Sequence, residues 1–198
     1  MCSSKLDLAF AIDASAGAET AGKEKMAEIM EFGRRVASAF KITPADSHLG
    51  LITFSTDAQV MLNFKRFSDP DAFAEAKDAV RVKPHTGKFT GQALKLAKDS
   101  LFGAVHRPDA LDVLVIMTDG PSTDNVMAPA RSLRDMGVKI IAIGLGDHIN
   151  KRQLANIASD PDDSNMFFTE FDNLQPLIPK IQKAACIGKY ENFSSPEN

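Results

Sequence analysis

Apolar residues recur along this chain in two alternating rhythms. Leu6, Leu8, Ala9, Phe10, Ala11 and Ile12 are apolar almost without a break and stop at Asp13, as expected of a strand buried on both faces. His48–Ser55 (HLGLITFS), Asp112–Thr118 (DVLVIMT) and Lys139–Ile143 repeat that pattern. Between these runs the period lengthens. Met26, Ile29, Met30, Phe32, Val36, Ala37 and Phe40 recur at helical spacing among charged residues, which predicts an amphipathic helix over Ala21–Phe40. Further helices are predicted over Pro70–Val80 with Asp69 near its N-cap, Gln92–Phe102, Val126–Met136 up to Gly137, Lys151–Ser159 and Leu174–Ala185. Val60, Leu62 and Phe64 alternate, so Val60–Phe64 reads as the hairpin partner of the strand just before it. Met166–Thr169 reads as a last short strand, Asp160–Asp163 as a solvated acidic turn, and Gly120 and Gly144 as turn glycines that follow or close strands.

Strands that alternate with helices predict an α/β fold. The expected form is a doubly wound, mainly parallel sheet with one antiparallel edge strand and helices on both faces. In such sheets ligands bind at the C-terminal edge of the strands. Asp13 and Asp119 both stand there, each directly after a buried run and each followed by small residues. The domain is expected over Lys5–Cys186, with residues 187–198 as a tail or linker.

Composition narrows the function. With 198 residues, 44% of them hydrophobic, the chain can bury a substantial core. A net charge of −3 without a basic stripe argues against nucleic acid, and no apolar run is long enough to insert in a bilayer. Met1 leads straight into Cys2-Ser3-Ser4-Lys5 with no signal peptide. Either the protein is cytosolic or this is a piece of a longer secreted chain. Cys2 precedes the first strand and Cys186 closes the last helix. Domain ends often lie close together, so we favour a Cys2–Cys186 disulfide over two free thiols at frayed ends. Such a bridge stabilises by about 5 kcal/mol in the chain-entropy model and implies an oxidising compartment. Asn192-Phe193-Ser194 is also a glycosylation sequon.

Catalytic signatures are missing. His48, His85, His106 and His148 show no metal-ligand spacing, and no GxSxG elbow, Walker loop or GxGxxG follows a strand. Gly144-Leu145-Gly146 lacks a third glycine and a following acid, so it reads as a turn. Asp13 is followed by Ala14 and Ser15, without the DxD of phosphatase chemistry. A non-enzymatic role is the expectation. What remains is Asp13 and Ser15 at one strand end, the His85–Gly91 loop (HTGKFTG), and Asp119 at another strand end. Acids and hydroxyls on one edge are suited to a hard divalent cation.

The succession DLAFAIDAS, GLITFST, GKFTGQAL, LVIMTDG and GVKIIAIGLG resembles the von Willebrand factor type A domain over Lys5–Cys186. It is most similar to the extracellular-matrix members found in matrilins and non-fibrillar collagens. The resemblance implies a protein-binding module with a metal-ion-dependent adhesion site built from DxSxS, TxTG and the Asp of a TDG turn. In that pattern the two serines and the first Thr bind the metal directly, the acids reach it through water, and a ligand carboxylate completes the shell. This chain has Gly17 where the second serine belongs and Lys88 where the first Thr belongs. Asp13, Ser15 and Asp119 match, and Thr90 matches the second Thr of TxTG.

A protonated lysine offers three donors and no lone pair. If Lys88 folds inward it replaces the cation electrostatically and the site is metal-free. If it points to solvent, as most lysines do, Asp13, Ser15 and Asp119 retain a weak, mostly hydrated Mg²⁺ (or Mn²⁺ or Ca²⁺). The first arrangement is the expectation taken forward. It implies adhesion to a matrix protein, collagen first among candidates, through a secreted module of a longer multidomain chain. The alternative is a cation-dependent adhesion domain with a weakened site. An intracellular enzyme or scaffold is the third reading, which an intact Cys2–Cys186 bridge would count against. Ser122–Asn125, polar and beside Asp119, is the first surface to test for partner contacts.

Overall fold

The structure, a computed structural model, describes residues 4–15, 20–64, 71–82, 87–105 and 107–187. Cys2, Gly17, Asp69, His85, His106 and the Asn192 sequon lie outside the described residues.

Six strands form one sheet in the order β3-β2-β1-β4-β5-β6: β1 Lys5–Asp13, β2 His48–Phe54, β3 Ala58–Leu62, β4 Ala110–Thr118, β5 Lys139–Leu145 and β6 Met166–Thr169. All neighbours pair in parallel except β2 with β3, which closes one edge as an antiparallel hairpin. The expected fold class holds. The helices are α1 Thr20–Ala37, α2 Ala72–Ala79, α3 Thr90–Ala97, α4 Met127–Asp135, α5 Lys151–Ile157, a single turn α6 Asp162–Asn165, and α7 Ile178–Cys186.

Alternation along β1 sorts the core into two layers. Leu6, Leu8, Phe10 and Ile12 face α1, α2 and α7, where Met26, Phe32, Phe73 and Ile181 are buried. Phe10 and Phe73 meet edge to face, with ring centroids 5.1 Å apart. Ala9 and Ala11 face the other way, toward Ala93 and Leu94 of α3, Leu133 of α4 and Leu154 of α5. Asp7 and Asp13 belong by period to this second row. They bracket the two alanines, one at each edge of the sheet.

Two expectations need correction. β5 does not close at Gly144 but runs to Leu145, with Gly144 paired to Thr118 and Phe168. A Cβ on Gly144 would lie 3.0 Å from both Ile149 and Phe168, so this glycine serves close packing, and the turn belongs to Gly146, with φ +77°. α3 begins at Thr90 rather than Gln92, because the Asp124 carboxylate accepts hydrogen bonds from the Gly91 and Gln92 N–H groups, 2.8 Å each. Asp160–Asp163 is a turn with Asp160 and Asp163 exposed, as expected, and it runs into α6, whose buried Asn165 donates to the Ser159 and Pro161 carbonyls. No helix among the described residues is long and apolar enough to cross a membrane.

Candidate functional site

β1 lies between β2 and β4, where the direction of strand addition reverses, and its C-terminal edge opens into the crevice such sheets use for ligands. Asp13 ends β1 and is buried. Its Oδ1 accepts from the Ser15 amide (2.9 Å) and the Ser15 hydroxyl (2.5 Å). Its Oδ2 lies 2.8 Å from Thr118 Oγ1, whose single proton is shared with the Gly120 carbonyl at 3.1 Å. Asp119 follows β4 at the same edge.

Lys88 points inward. Its Nζ donates to Ser15 Oγ and to Asp119 Oδ1 and stands 3.5 Å from Asp13 Oδ2. Three motif positions are thus gathered round one ammonium: Ser15 and Asp119 by hydrogen bond, and Asp13 by a longer charge contact. The Ser15 hydroxyl accepts from Lys88 and passes its own proton toward Asp13, forming a continuous polar chain.

Neighbouring loops set this direction. A Cβ on Gly120 would lie 3.0 Å from Lys88 Cε. The bare backbone there makes room for the lysine stem, so close approach, rather than a turn conformation, is what this position uses. The Lys88 carbonyl accepts from the Thr123 amide (2.9 Å) and the Ser122 hydroxyl (3.0 Å). Gln153 of α5 braces the same loop from behind, its Oε1 accepting from Ser122 N–H at 2.7 Å. Residues 122–125 therefore anchor the Lys88 segment and the start of α3. A Cβ on Gly91 would fall 2.1 Å from the Asn125 carbonyl oxygen, which accounts for a glycine at that position.

Thr90, a motif match, stays outside these contacts. Its backbone N–H donates to Ser122 Oγ at 3.1 Å, and its buried hydroxyl has no hydrogen bond among the described residues. Thr118 and Gln153 are the parts of the site that sequence reasoning missed, whereas Ser122 and Asp124, singled out as a partner surface, instead anchor the Lys88 segment and the start of α3. The only sequence cue was the polar run around Asp119. Cys186 ends α7 in a disulfide.

The donor set as folded does not suit a divalent cation. An ion bound to Ser15 between the two aspartates would meet the Lys88 ammonium at hydrogen-bond range, so Nζ would have to leave first. Among the described residues no group of three or more His, Cys, Asp or Glu side chains could hold a metal.

A profile of the von Willebrand factor type A domain matches residues 7–183. The chain belongs to this family. Among curated relatives of this vWA domain, cochlin from Cavia porcellus is 28% identical over 186 residues, covering 93% of this chain and 33% of cochlin. The collagen alpha-4(VI) chain of Mus musculus is 34% identical over 188 residues, covering 93% of this chain but 8% of that protein. Matrilin-1 of Gallus gallus is 28% identical, covering 93% and 37%. These relatives are extracellular-matrix proteins, and the chain spans about a third or less of their length. Among solved structures, proximal thread matrix protein 1 from the mussel byssus superposes with TM-score 0.83 at 27% identity, over 93% of this chain and 47% of that one. Another structure of that protein, also 27% identical, has a zinc-occupied MIDAS motif.

Proposed function

We propose that this vWA domain is a non-catalytic adhesion module of a secreted matrix protein and that it binds its protein partner without a metal. The module is Lys5–Cys186, closed by a Cys2–Cys186 disulfide, with 187–198 leading out of it. It works as one unit of a longer multidomain chain, with collagen the first partner to test. The observation that carries this reading is the Lys88 ammonium held among Ser15, Asp119 and Asp13. One tethered positive charge there does part of the electrostatic work of a cation and repels a second one. Asp13 meanwhile keeps its hydrogen bonds to Ser15 and Thr118.

Calorimetric titration with Mg²⁺ and Mn²⁺ tests the claim. No binding tighter than the millimolar range is expected, and Lys88→Thr with Gly17→Ser should create it. A pull-down from matrix extract, collagens first, should capture the same partner with and without EDTA. The zinc-occupied motif of the mussel protein favours a second reading. In it Lys88 swings out, and Asp13, Ser15 and Asp119 hold a weakly bound Mg²⁺, Mn²⁺ or Ca²⁺. EDTA-sensitive capture would select that reading. Non-reducing mass spectrometry should find Cys2 joined to Cys186.

A further inference from the structure

We propose that a cleft at the N-terminal edge of β5, across the sheet from the Lys88 site, binds an acidic sugar chain whose sulfate or carboxylate is held by Lys139, Lys180 and Lys183. This site goes beyond the adhesion reading and does not depend on whether Lys88 excludes a metal.

The cleft has a volume of about 800 Å³ and lies between the end of α4, the turn that leads into α6, and α7. Lys139, the first residue of β5, lines it. Two of the three N–H bonds on its Nζ go to the Ala184 and Ile187 carbonyls, at 2.6 and 3.0 Å. The third has no acceptor among the described residues. Burial holds this ammonium below the ordinary lysine value, with no acid beside it to offset the desolvation. An anion seated there would supply the opposite charge that two neutral carbonyls do not.

The helix whose carbonyls it meets brings two more cations. Lys180, Lys183 and Ala184 share one face of α7, at positions i, i+3 and i+4. Both lysines are exposed, line the cleft and form no ion pair among the described residues. Three ammonium groups on the α7 side thus lack an anion.

The α6 side decides what kind of anion fits. Asp160 and Asp163 line the cleft there, exposed and without an ion pair among the described residues, while Asp162 does not line it. Asn165 is buried in the same side, and its Oδ1 accepts from nothing among the described residues. The two charges at the end of α4 are engaged: Asp135 faces Arg131 at 3.8 Å, and Arg134 Nη1 donates to the Asn156, Ile157 and Ala158 carbonyls. Four cations and three acids line the cleft in all, a net charge of +1. A run of carboxylates gains from one side and is repelled by the other. A sugar chain carries both kinds of group. Its sulfate or carboxylate suits the lysines, and its hydroxyls donate to the aspartates. The half-buried Phe167 ring adds an apolar surface for the sugar ring to pack on.

The test titrates the whole chain, in EDTA and low salt, with hexasaccharides of chondroitin sulfate and hyaluronan, with maltohexaose, and with a blocked hexaglutamate peptide. Nitrogen-15 NMR follows the Ser164 and Phe167 amides at the cleft and the Ser15 and Gly120 amides at the far edge. Chondroitin sulfate is expected to shift only the first pair and to raise the Lys139 side-chain pKa. It should bind at least about tenfold tighter than maltohexaose or the peptide. Hyaluronan carries carboxylates and no sulfate, so it separates the two anions: binding as tight as chondroitin sulfate assigns the carboxylate, and weaker binding assigns the sulfate. Lys180→Ala with Lys183→Ala, both at exposed positions, should lose at least about tenfold. Asp163→Asn should also weaken the sugar, because a charged acceptor becomes a neutral one. For a ligand drawn by charge alone the same change would strengthen binding. Peptide or maltohexaose binding as tight as the acidic sugars, tighter binding by Asp163→Asn, or no shift at Ser164 and Phe167 with any probe would overturn the inference. None of these outcomes touches the metal-free reading, which metal titration tests separately.

Discussion

β1 carries an aspartate at each end of one row, and each meets a cation from a distant loop, yet the two pairs are built differently. At the N-terminal edge Asp7 is fully buried, and Arg107 binds it in a fork, with Nη2 2.8 Å from Oδ1 and Nε 3.1 and 3.2 Å from the two oxygens. The same guanidinium donates to the Asp46 carbonyl (2.6 Å) and the Leu6 carbonyl (3.2 Å), and His48 Nδ1 adds a contact at 3.4 Å from Asp7. At the C-terminal edge, roughly 20 Å along the strand, Lys88 approaches Asp13 at 3.5 Å and spends its hydrogen bonds on Ser15 and Asp119. Asp7 depends chiefly on Arg107, which also serves two carbonyls beside it. Asp13 depends on a network in which the cation is one member. A planar fork closes a structural joint, whereas a point charge on a flexible stem can be displaced or outcompeted. The first pair is a fastening and the second is a site.

Removing each cation separates these roles. Arg107→Leu strands a buried carboxylate and removes a donor from two backbone carbonyls, so we expect a loss of about 3–5 kcal/mol in chemical denaturation. Adding Asp7→Leu should recover much of that loss, because an apolar pair of similar volume removes the buried charge with its partner. Should the double variant be no more stable than the single, the fork would not be the reason for the loss.

Lys88→Met should cost less, about 1–2 kcal/mol, since Asp13 keeps the Ser15 amide, the Ser15 hydroxyl and the Thr118 hydroxyl. It also leaves two carboxylates without a cation between them. Millimolar Mn²⁺ should therefore raise the melting temperature of Lys88→Met, since binding to the folded state alone stabilises it, and leave the parent unchanged. Equal stabilisation of both proteins would mean that Lys88 does not guard the position. The two ends of β1 would then differ less than their geometry suggests.

The same contrast governs what could be read from sequence. The C-terminal edge was legible because a buried run ending in Asp13, and another ending just before Asp119, state where the strands stop. The family resemblance then put Lys88 against both acids. Its inward direction stayed open, because that depends on the bare backbone of Gly120 and on Ser122 and Thr123 holding the Lys88 carbonyl, contacts more than thirty residues away along the chain. The Asp7–Arg107 fork left no trace. Asp7 reads as one polar residue in an apolar strand, and Arg107 lies a hundred positions on. The end of β5 is obscured for a related reason. Gly144 resembles a stop until Ile149 and Phe168 are seen to need its missing side chain.

Lys139 gives the comparison a third case, a cation at the N-terminal end of β5 that meets backbone carbonyls instead of a carboxylate. Its Nζ donates to the Ala184 (2.6 Å) and Ile187 (3.0 Å) carbonyls at the end of α7. Burial holds this ammonium below the ordinary lysine value of 10.5, with no acid to offset the desolvation. The folded pKa is thus the lower of the two, and the unfolded chain binds the proton more tightly. Between the folded value and 10.5 the unfolded state carries more protons, so stability rises with pH through that window and the penalty is fully present below it. Lys139→Met removes the titrating group. The stability of the parent relative to this variant should therefore improve as pH climbs from neutrality toward 10.5, by less than either effect at the ends of β1. Denaturant midpoints of both proteins across that range measure it. A flat difference would show that the two carbonyls compensate the buried charge as fully as a carboxylate does.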